Sequence, residues 1–436
     1  MYPYLQNQAD STIVVRWETA TLQPGLVQYG LTAGYGMLVT QPSPDSFHEL
    51  TLTGLVADTV YHYRAISGAD TSPAATFRSR ALSDRPFRFF AYGDTRTDSA
   101  AHQGVIDQML LTAPLPAFAL QVGDLTENGT LPDYSTFFNV EGGLLAGVPM
   151  YPAAGNHDLR APANWYRFFV LPNNEMWYTI RNGNSAFHAL NTYDPFTPGS
   201  DQYDWLVREL RADSADPGVR HVFIWFHDPP YTTNAAHSSN LDVRAYLCPL
   251  FERYGVRLVF LGHVHAYEHS FVNGVHYIVT GGGGAPLAYN WNDPEPWTVF
   301  RQTCYEFTLV DVHGDSVFCR SIKPDGQVFD SFAVITPPSG IVAAPPTTAS
   351  AAALLSISSS PFSRRVRFTI TLQSQDAINL TVFDADGRRW VTLFDGSLPA
   401  GGHSFYWEPV DAPEGSYVAR LRTSRCTGSA RFTYSR

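Results

Sequence analysis

VRLVFLGHVHAYEHS, residues 256–270, decides how the rest of the chain is read. Val256 to Leu261 are mostly β-branched or aliphatic, the pattern of a strand buried on both faces. Gly262 then turns the chain and presents His263 and His265 with one residue between them. Two imidazoles leaving one strand end can serve two metal ions, or two faces of one. What the pair does depends on the strands around it.

Working outward, Pro86 to about Thr336 alternates strand and helix patterns. FRFFAY (87–92) ends at Gly93-Asp94 and is followed by a helix with Ala101, Val105, Ile106, Met109 and Leu110 as its apolar stripe. FALQV (118–122) ends at Gly123-Asp124, and MYPAA (150–154) at Gly155-Asn156-His157-Asp158. QYDWLVRELRAD (202–213) is an amphipathic helix, with Tyr203, Leu206, Val207 and Leu210 on one face. HVFIWF (221–226) ends at His227. Including 256–261, five strands run into a loop that opens on a metal-capable residue. In open α/β sheets ligands bind outside the carboxyl ends of the strands. A single Gly-Asp after a strand is ordinary turn chemistry, and a single buried histidine is an ordinary core residue. Asp94, Asp124, Asn156, His227, His263 and His265, all in order at strand ends, are neither.

Carboxylates and an amide carbonyl are hard oxygen donors, and imidazole suits Fe, Zn and Mn. Six such groups exceed the needs of one catalytic zinc and fit two adjacent ions with Asp124 bridging. Two metals about 3.5–4 Å apart clamp the attacking and leaving oxygens of an in-line displacement. A hydroxide held between them is nucleophilic near neutral pH, and phosphoester hydrolysis is the natural use. Gly281 to Gly284 lack a following Lys-Ser/Thr, so a tight turn near the metals is expected there rather than a P-loop. His221 and His276 lie within strand runs and read as structural. Tyr267, Glu268 and His269 read as partners that orient ligands.

The flanks differ in texture. In residues 1–84, STIVVRWET alternates with Ile13, Val15 and Trp17 on one face, and VYHYRAIS with Tyr61, Tyr63 and Ala65. Short strands and turn residues there suggest an immunoglobulin- or fibronectin-type sandwich. Residues 337–353 are rich in Pro, Ala and Thr without periodicity and read as a linker. Residues 354–436 are a second sandwich: VRFTITL alternates, INLTVFDADGRRW is strand, Asp-Gly turn, strand, and GSYVARLRT closes the set. The catalytic region between them spans 85–336.

Composition bounds the alternatives. The 436 residues are 44% apolar with no long uninterrupted apolar run, so no transmembrane helix is expected. A net charge of −11 argues against a nucleic-acid partner or an anionic membrane. The start, MYPYLQN, has no signal-peptide pattern; the expectation is a secreted or cell-surface protein whose signal has been removed. Cys248, Cys304, Cys319 and Cys426 allow three pairings. A two-residue turn at His313-Gly314 would place Cys304 opposite Lys323, so a Cys304–Cys319 bridge needs a bulge. The alternative is buried thiols.

GDTR, GDLTENG, AGNHD, WFHDPPY and LGHVHAYEH resemble the blocks of the calcineurin-like metallophosphoesterases. GDL, WLVREL, GHVHAYEHS and TGGGGAPL bring the likeness closest to purple acid phosphatases. The string YLQN…VRWET…VQYG…VYHYRAISG likewise resembles their N-terminal fibronectin-like domain. The resemblance implies an α/β fold of two face-to-face sheets flanked by helices, set between all-β sandwiches. It gives one metal Asp94, Asp124 and His265, and the other Asp124, Asn156, His227 and His263. The metals remain Fe, Zn or Mn. His157 falls where the family's histidine contacts the substrate phosphate. His237 lies ten residues after His227, roughly where purple acid phosphatases carry a histidine that protonates the leaving group, a role suited to imidazole. Arg96 suits a phosphate clamp or a structural ion pair.

Two departures from the pattern matter. The family's metal-binding tyrosine, three residues after the second aspartate, is Glu127 here, so the protein is not expected to be purple. Other members carry a histidine two residues after the first aspartate; here that residue is Arg96. The first metal is then expected to keep water or to recruit His102 from the following helix. The substrate expected is a small phosphomonoester, with a phosphodiesterase or nucleotidase as the rival and a non-catalytic surface-binding module as the rival of another class. Its pocket is expected from the loops 127–145, 160–200 and 228–242, where Trp165 and Trp177 read as lining or core, as does Trp291. The run from SSSPF to EGSYVARLR resembles the immunoglobulin-like C-terminal module of secreted bacterial proteins, implying export and contact with the cell surface or secretion machinery.

Overall fold

The computed structural model describes residues 3–82, 84–336, 354–357, 365–372, 374–384, 389–409, 412–423 and 427–435. They form two compact units, Met1–Asp315 with Ser321–Gln327, and Ser316–Arg320 with Val328–Arg436.

The first unit opens with six strands: β1 (Tyr4–Gln6), β2 (Ile13–Gly30), β3 (Met37–Leu52), β4 (Val60–Ser67), β5 (Asp70–Thr71) and β6 (Ala75–Arg78). They pair antiparallel in one sheet, and the β2–β3 register slips between Glu18 and Gln23. Ile13, Val15, Trp17, Tyr61, Tyr63 and Ala65 share one apolar cluster, as strand periodicity requires. Tyr4 and Tyr63 donate hydroxyl hydrogen bonds to the carbonyls of Phe168 (2.9 Å) and Ala146 (2.8 Å), tying this sheet to the elements that follow.

Those elements are β7 (Phe87–Tyr92), α1 (Ser99–Leu110), β8 (Phe118–Gln121), α2 (Leu131–Leu145), β9 (Met150–Pro152) and α3 (Pro162–Phe168). Next come β10 (Tyr178–Asn182), β11 (Ser185–Ala189), α4 (Asp201–Ala215), β12 (His221–Trp225), α5 (Leu241–Tyr246) and α6 (Cys248–Arg253). The unit continues with β13 (Leu258–Leu261), β14 (Tyr267–Val272), β15 (Val275–Thr280), β16 (Thr298–Gln302) and β17 (Phe307–His313). One sheet carries β7, β8 and β9 parallel, with β17 antiparallel to β7. The other runs β10-β11-β12-β13-β15-β14-β16, parallel from β11 through β15.

The sheets meet through phenylalanines. Phe89 on β7 packs its ring 5.2 Å from both Phe187 and Phe223 and 5.9 Å from Phe260, while Phe118 lies 5.1 Å from Phe187. The alternate residues Phe90 and Tyr92 point the other way, into a cluster with Val105, Ile106 and Met109 of α1 and Leu144 of α2. On the second sheet Ile224, Val259 and Tyr277 pack against Leu206 and Leu210 of α4, Val243 of α5 and Phe251 of α6. Period-two strands that are apolar on both faces thus build the expected helix–sheet–sheet–helix layering.

The second unit holds most of β18 (Ser316–Ile322), then β19 (Val328–Ile335), β20 (Leu354–Ile357), β21 (Val366–Leu372), β22 (Asp376–Asp384), β23 (Arg389–Leu398), β24 (Gly401–Trp407), β25 (Gly415–Thr423) and β26 (Thr427–Tyr434). Sheets β20-β21-β24 and β23-β22-β25-β26 share a core of Phe368, Ile370, Leu380, Trp407, Tyr417 and Leu421. The expected linker 337–353, the Asp386-Gly387 turn and Cys426 lie outside the described residues.

Two expectations are corrected, and an open alternative is closed. The supposed loop 127–145 contains helix α2, closed by a Thr130–Asp133 capping box with proline in its first turn. The supposed loop 160–200 contains α3 and the β10–β11 hairpin. Cys248 and Cys304 are thiols, so no bridge joins Cys304 to Cys319.

Candidate metal centre

Six of the proposed ligands follow the carboxyl end of a parallel strand: Asp94 after β7, Asp124 after β8, Asn156 after β9, His227 after β12, His263 and His265 after β13. The turns that aim them are strained. Asp94, Asp124 and His263 have φ of 53°, 55° and 70°, left-handed values that few non-glycine residues adopt. Three such residues at three strand ends mark a site held in place by its surroundings. Gly262 is required by close approach, since a Cβ there would lie 2.6 Å from Asp94 Oδ2 and 2.9 Å from His227 Nδ1. At Gly281 it would lie 2.8 Å from Asp94 Oδ2, so the glycine run seals the floor of the site.

Asp94, Asp124 and His227 offer donor atoms within 4.8 Å of one another, all buried. His227 Nδ1 sits 2.9 Å from the Val122 carbonyl, and His265 Nδ1 2.8 Å from that of Pro286. In the tautomer that binds a metal each carbonyl takes the Nδ1 proton, which leaves Nε2 to face the cluster. His227 Nε2 lies 3.4 Å from Asp124 Oδ1 and 3.3 Å from His263 Nδ1; His265 Nε2 lies 3.7 Å from Asp94 Oδ1. Asp94 Oδ2 accepts the His263 backbone N–H at 2.9 Å, while the buried Oδ1 has no hydrogen-bond partner. A buried carboxylate oxygen without a donor is costly, and a cation beside Asp94, Asp124 and His265 would remove that cost. The donor set fits a metal.

The electrostatics agree. Burial pushes the Asp94 carboxyl well above the usual range, with Asp124 beside it adding to the rise. Burial would raise Asp124 too, but His227 and the His157 backbone N–H hold it low. Burial opposes charge on His227, yet the Asp124 and Asp94 carboxylates push it up to about 10. Burial and the neighbouring cations lower His263 to about 3 and His265 to about 4. Without an ion the cluster therefore keeps a proton on His227, one that a metal displaces.

The remaining expected residues fall in two groups. His157 donates its backbone N–H to Asp124 Oδ1 (2.9 Å); its Nδ1 meets the Glu127 carbonyl at 2.6 Å. The His237 ring lies tilted over the histidine ligands, its centroid 4.1 Å from that of His263 and 5.9 Å from that of His265. Arg96 lies against the cluster, Nε 3.2 Å from Asp124 Oδ2 and Nη2 3.2 Å from His265 Nε2, with Nη1 bonded to Glu127 at 2.7 Å. His102 goes elsewhere: its Nε2 is 2.9 Å from Glu141 Oε1, which also accepts the Tyr92 hydroxyl. That pairing, under helix α2, takes the ring the first metal was expected to recruit. Trp165 is core, its ring on Phe169; Trp291 stacks under the Arg301 guanidinium.

Sequence reading missed four participants. Asp158 is buried and accepts from the backbone N–H groups of Leu125, Thr126 and Gly155, bracing two ligand loops together. Its position in Gly-Asn-His-Asp was the available signal. Arg160 donates to the Glu127 carbonyl and lies 3.3 Å from His157 Nε2. Asp228 and Tyr193 meet through a 2.7 Å hydrogen bond, with the Tyr193 hydroxyl 3.4 Å from Asn156 Oδ1. Glu268, expected as an orienting residue, is buried and accepts from Thr232 and Thr233 in the loop that carries His237.

Residues 88–267 match the family model for calcineurin-like phosphoesterases. This stretch is a calcineurin-like phosphoesterase domain. The chain is 28% identical to purple acid phosphatase 18 of Arabidopsis thaliana over 344 residues, 69% of this chain and 76% of that one. It is 26% identical to purple acid phosphatase 15 of the same plant over 342 residues, covering 64% of this chain and 62% of the relative. The structure of purple acid phosphatase PPD1 from yellow lupin seeds shares the fold, with a TM-score of 0.68 at 20% identity over 81% of this chain and 78% of that one. The calcineurin-like domain thus makes the chain a metal-dependent phosphoester hydrolase, akin to purple acid phosphatases, and implies a dinuclear metal site.

Proposed function

We propose that this protein is a secreted, three-domain, two-metal phosphomonoesterase. Asp94, Asp124 and His265 would hold one ion, and Asp124, Asn156, His227 and His263 the other. When bound, the ions supply a water nucleophile at neutral pH and neutralise charge on the phosphoryl oxygens. The chain does the rest. Asp124 bridges the positions, with Oδ1 toward His227 and Oδ2 toward Arg96. Arg96 and His157 hold the phosphoryl group, and His237 delivers a proton to the departing alkoxide. The observation that carries the reading is the buried Asp94 Oδ1, without a hydrogen-bond partner and facing two imidazole Nε2 atoms at 3.7 and 3.9 Å. His237 suits the acid role because its ring is half-buried over the ligand histidines. Export is supported by the likeness of the C-terminal module to secreted bacterial proteins, and that module offers the contact with surface or secretion machinery. No described helix is long and apolar enough to cross a membrane.

The test is phosphate release from a phosphomonoester beside a phosphodiester, with Fe, Zn or Mn restored and then chelated. Monoester turnover that chelation abolishes is the expected result, and His237→Ala should slow alkyl phosphates far more than nitrophenyl phosphate. Preferential diester cleavage would transfer the site to a phosphodiesterase. Silence without bound metal would leave a binding module.

A further inference from the structure

We infer that the two metal positions load in order, the His227–His263 position first, because Asp228 adds a carboxylate there while Arg96 sits on the ligands of the other. The inference rests on the two-metal reading above. Asp228 follows His227 directly, and its Oδ1 lies 3.8 Å from His263 Nδ1, the atom that faces His227 Nε2 at 3.3 Å. Its carboxylate is fixed from two sides: Thr192 Oγ1 donates to Oδ2 at 2.9 Å and the Tyr193 hydroxyl to Oδ1 at 2.7 Å. The same hydroxyl lies 3.4 Å from Asn156 Oδ1, so the Asp228 carboxylate is held close to the oxygen that would hold the ion. An ion there would have Asp124, Asn156, His227 and His263 as ligands, with the Asp228 carboxylate beside them.

The other position has the opposite balance. Arg96 lies against Asp124 Oδ2 and His265 Nε2, two of the atoms an ion would use, and Glu127 and Thr97 pin it in place. A guanidinium cannot give up its charge in a protein. An ion entering beside Asp94 must therefore displace a resident cation from two of its three ligands or bind next to it. Asp124 divides its oxygens between the two cases, Oδ1 toward His227 and Oδ2 toward Arg96. Asp228 is a positioning residue that makes one position electrostatically ready; Arg96 makes the other conditional.

Metal-free protein titrated with Mn2+ should show two binding events separated in affinity by calorimetry. Crystals grown with one equivalent should give anomalous density beside His227 and His263. Asp228→Asn should weaken the first event about 10–100-fold, the usual effect of losing such a partner, and leave the second in place. Arg96→Gln should tighten the second event and spare the first. Two events of equal affinity, single-equivalent density beside His265 and Asp94, or an Asp228→Asn protein whose second event alone weakens would overturn the ordering while keeping the two-metal site. No binding of Mn2+, Zn2+ or Fe2+ would overturn both.

Discussion

Glu306 provides a test of the electrostatics behind the metal centre without touching a ligand. It is fully buried and accepts the Thr280 hydroxyl at 2.9 and 3.1 Å and the Gly282 backbone N–H at 3.2 Å. Burial outweighs these donors and pushes its carboxyl from 4.5 up to about 8. In the unfolded chain the group ionises near 4.5; in the folded one it holds its proton until about 8. Between those values the native state binds more protons, so stability falls as pH rises through the window. Full development of the difference amounts to about 4 kcal/mol by pH 8. Glu306→Gln mimics the protonated acid and removes the titration. Urea unfolding of the metal-free protein at pH 5 and pH 8 should show the variant gaining about 4 kcal/mol on the parent between the two. A gap between parent and variant that stays constant from pH 5 to pH 8 would refute the reasoning.

Gly262→Ala should displace Asp94 and His227 and cost about 1–3 kcal/mol of stability by overpacking, with metal affinity falling alongside; thermal unfolding and metal content check both. Asp158→Ala leaves three backbone donors without their acceptor and should cost about 3 kcal/mol or more, since each buried unpaired group costs about 1–3 kcal/mol; denaturant midpoints read this directly. Loading metal at pH 7 should release protons, because His227 is held charged up to about 10 in the ion-free cluster; acid should therefore weaken binding. Calorimetry in buffers of different ionisation heat counts them, and zero release would contradict the assignment.

Much of this was legible in the chain. Aliphatic and aromatic runs such as FRFFAY and HVFIWF are apolar on both faces because they lie between a second sheet and a helix layer. Ligands at strand ends follow from parallel strands, which all deliver their loops to one edge. Helix α2 was hidden because its sequence, LPDYSTFFNVEGGLL, carries Pro132 and the Gly142-Gly143 pair; its hold is tertiary, through Tyr134, Phe137 and Phe138 in the core. The β10–β11 hairpin was hidden by Asn182-Gly183-Asn184, read as loop, although Gly183 takes a left-handed turn between two short strands. Arg160, Asp228 and Tyr193 act through contacts that spacing does not encode: Tyr193 reaches Asp228 across 35 residues. His102 went astray because Glu141, which claims it, lies on the helix that was not anticipated.

The central claim is that Asp94 and its neighbours hold the ions that do the chemistry. Asp94→Asn keeps the shape and the bond to the His263 N–H but removes the charge. Metal content and monoester turnover, measured on the same preparations of parent and variant with folding checked by circular dichroism, test it most directly. The account predicts a folded variant that loses bound metal and turnover together. An Asp94→Asn protein with full metal content and undiminished phosphate release would contradict it.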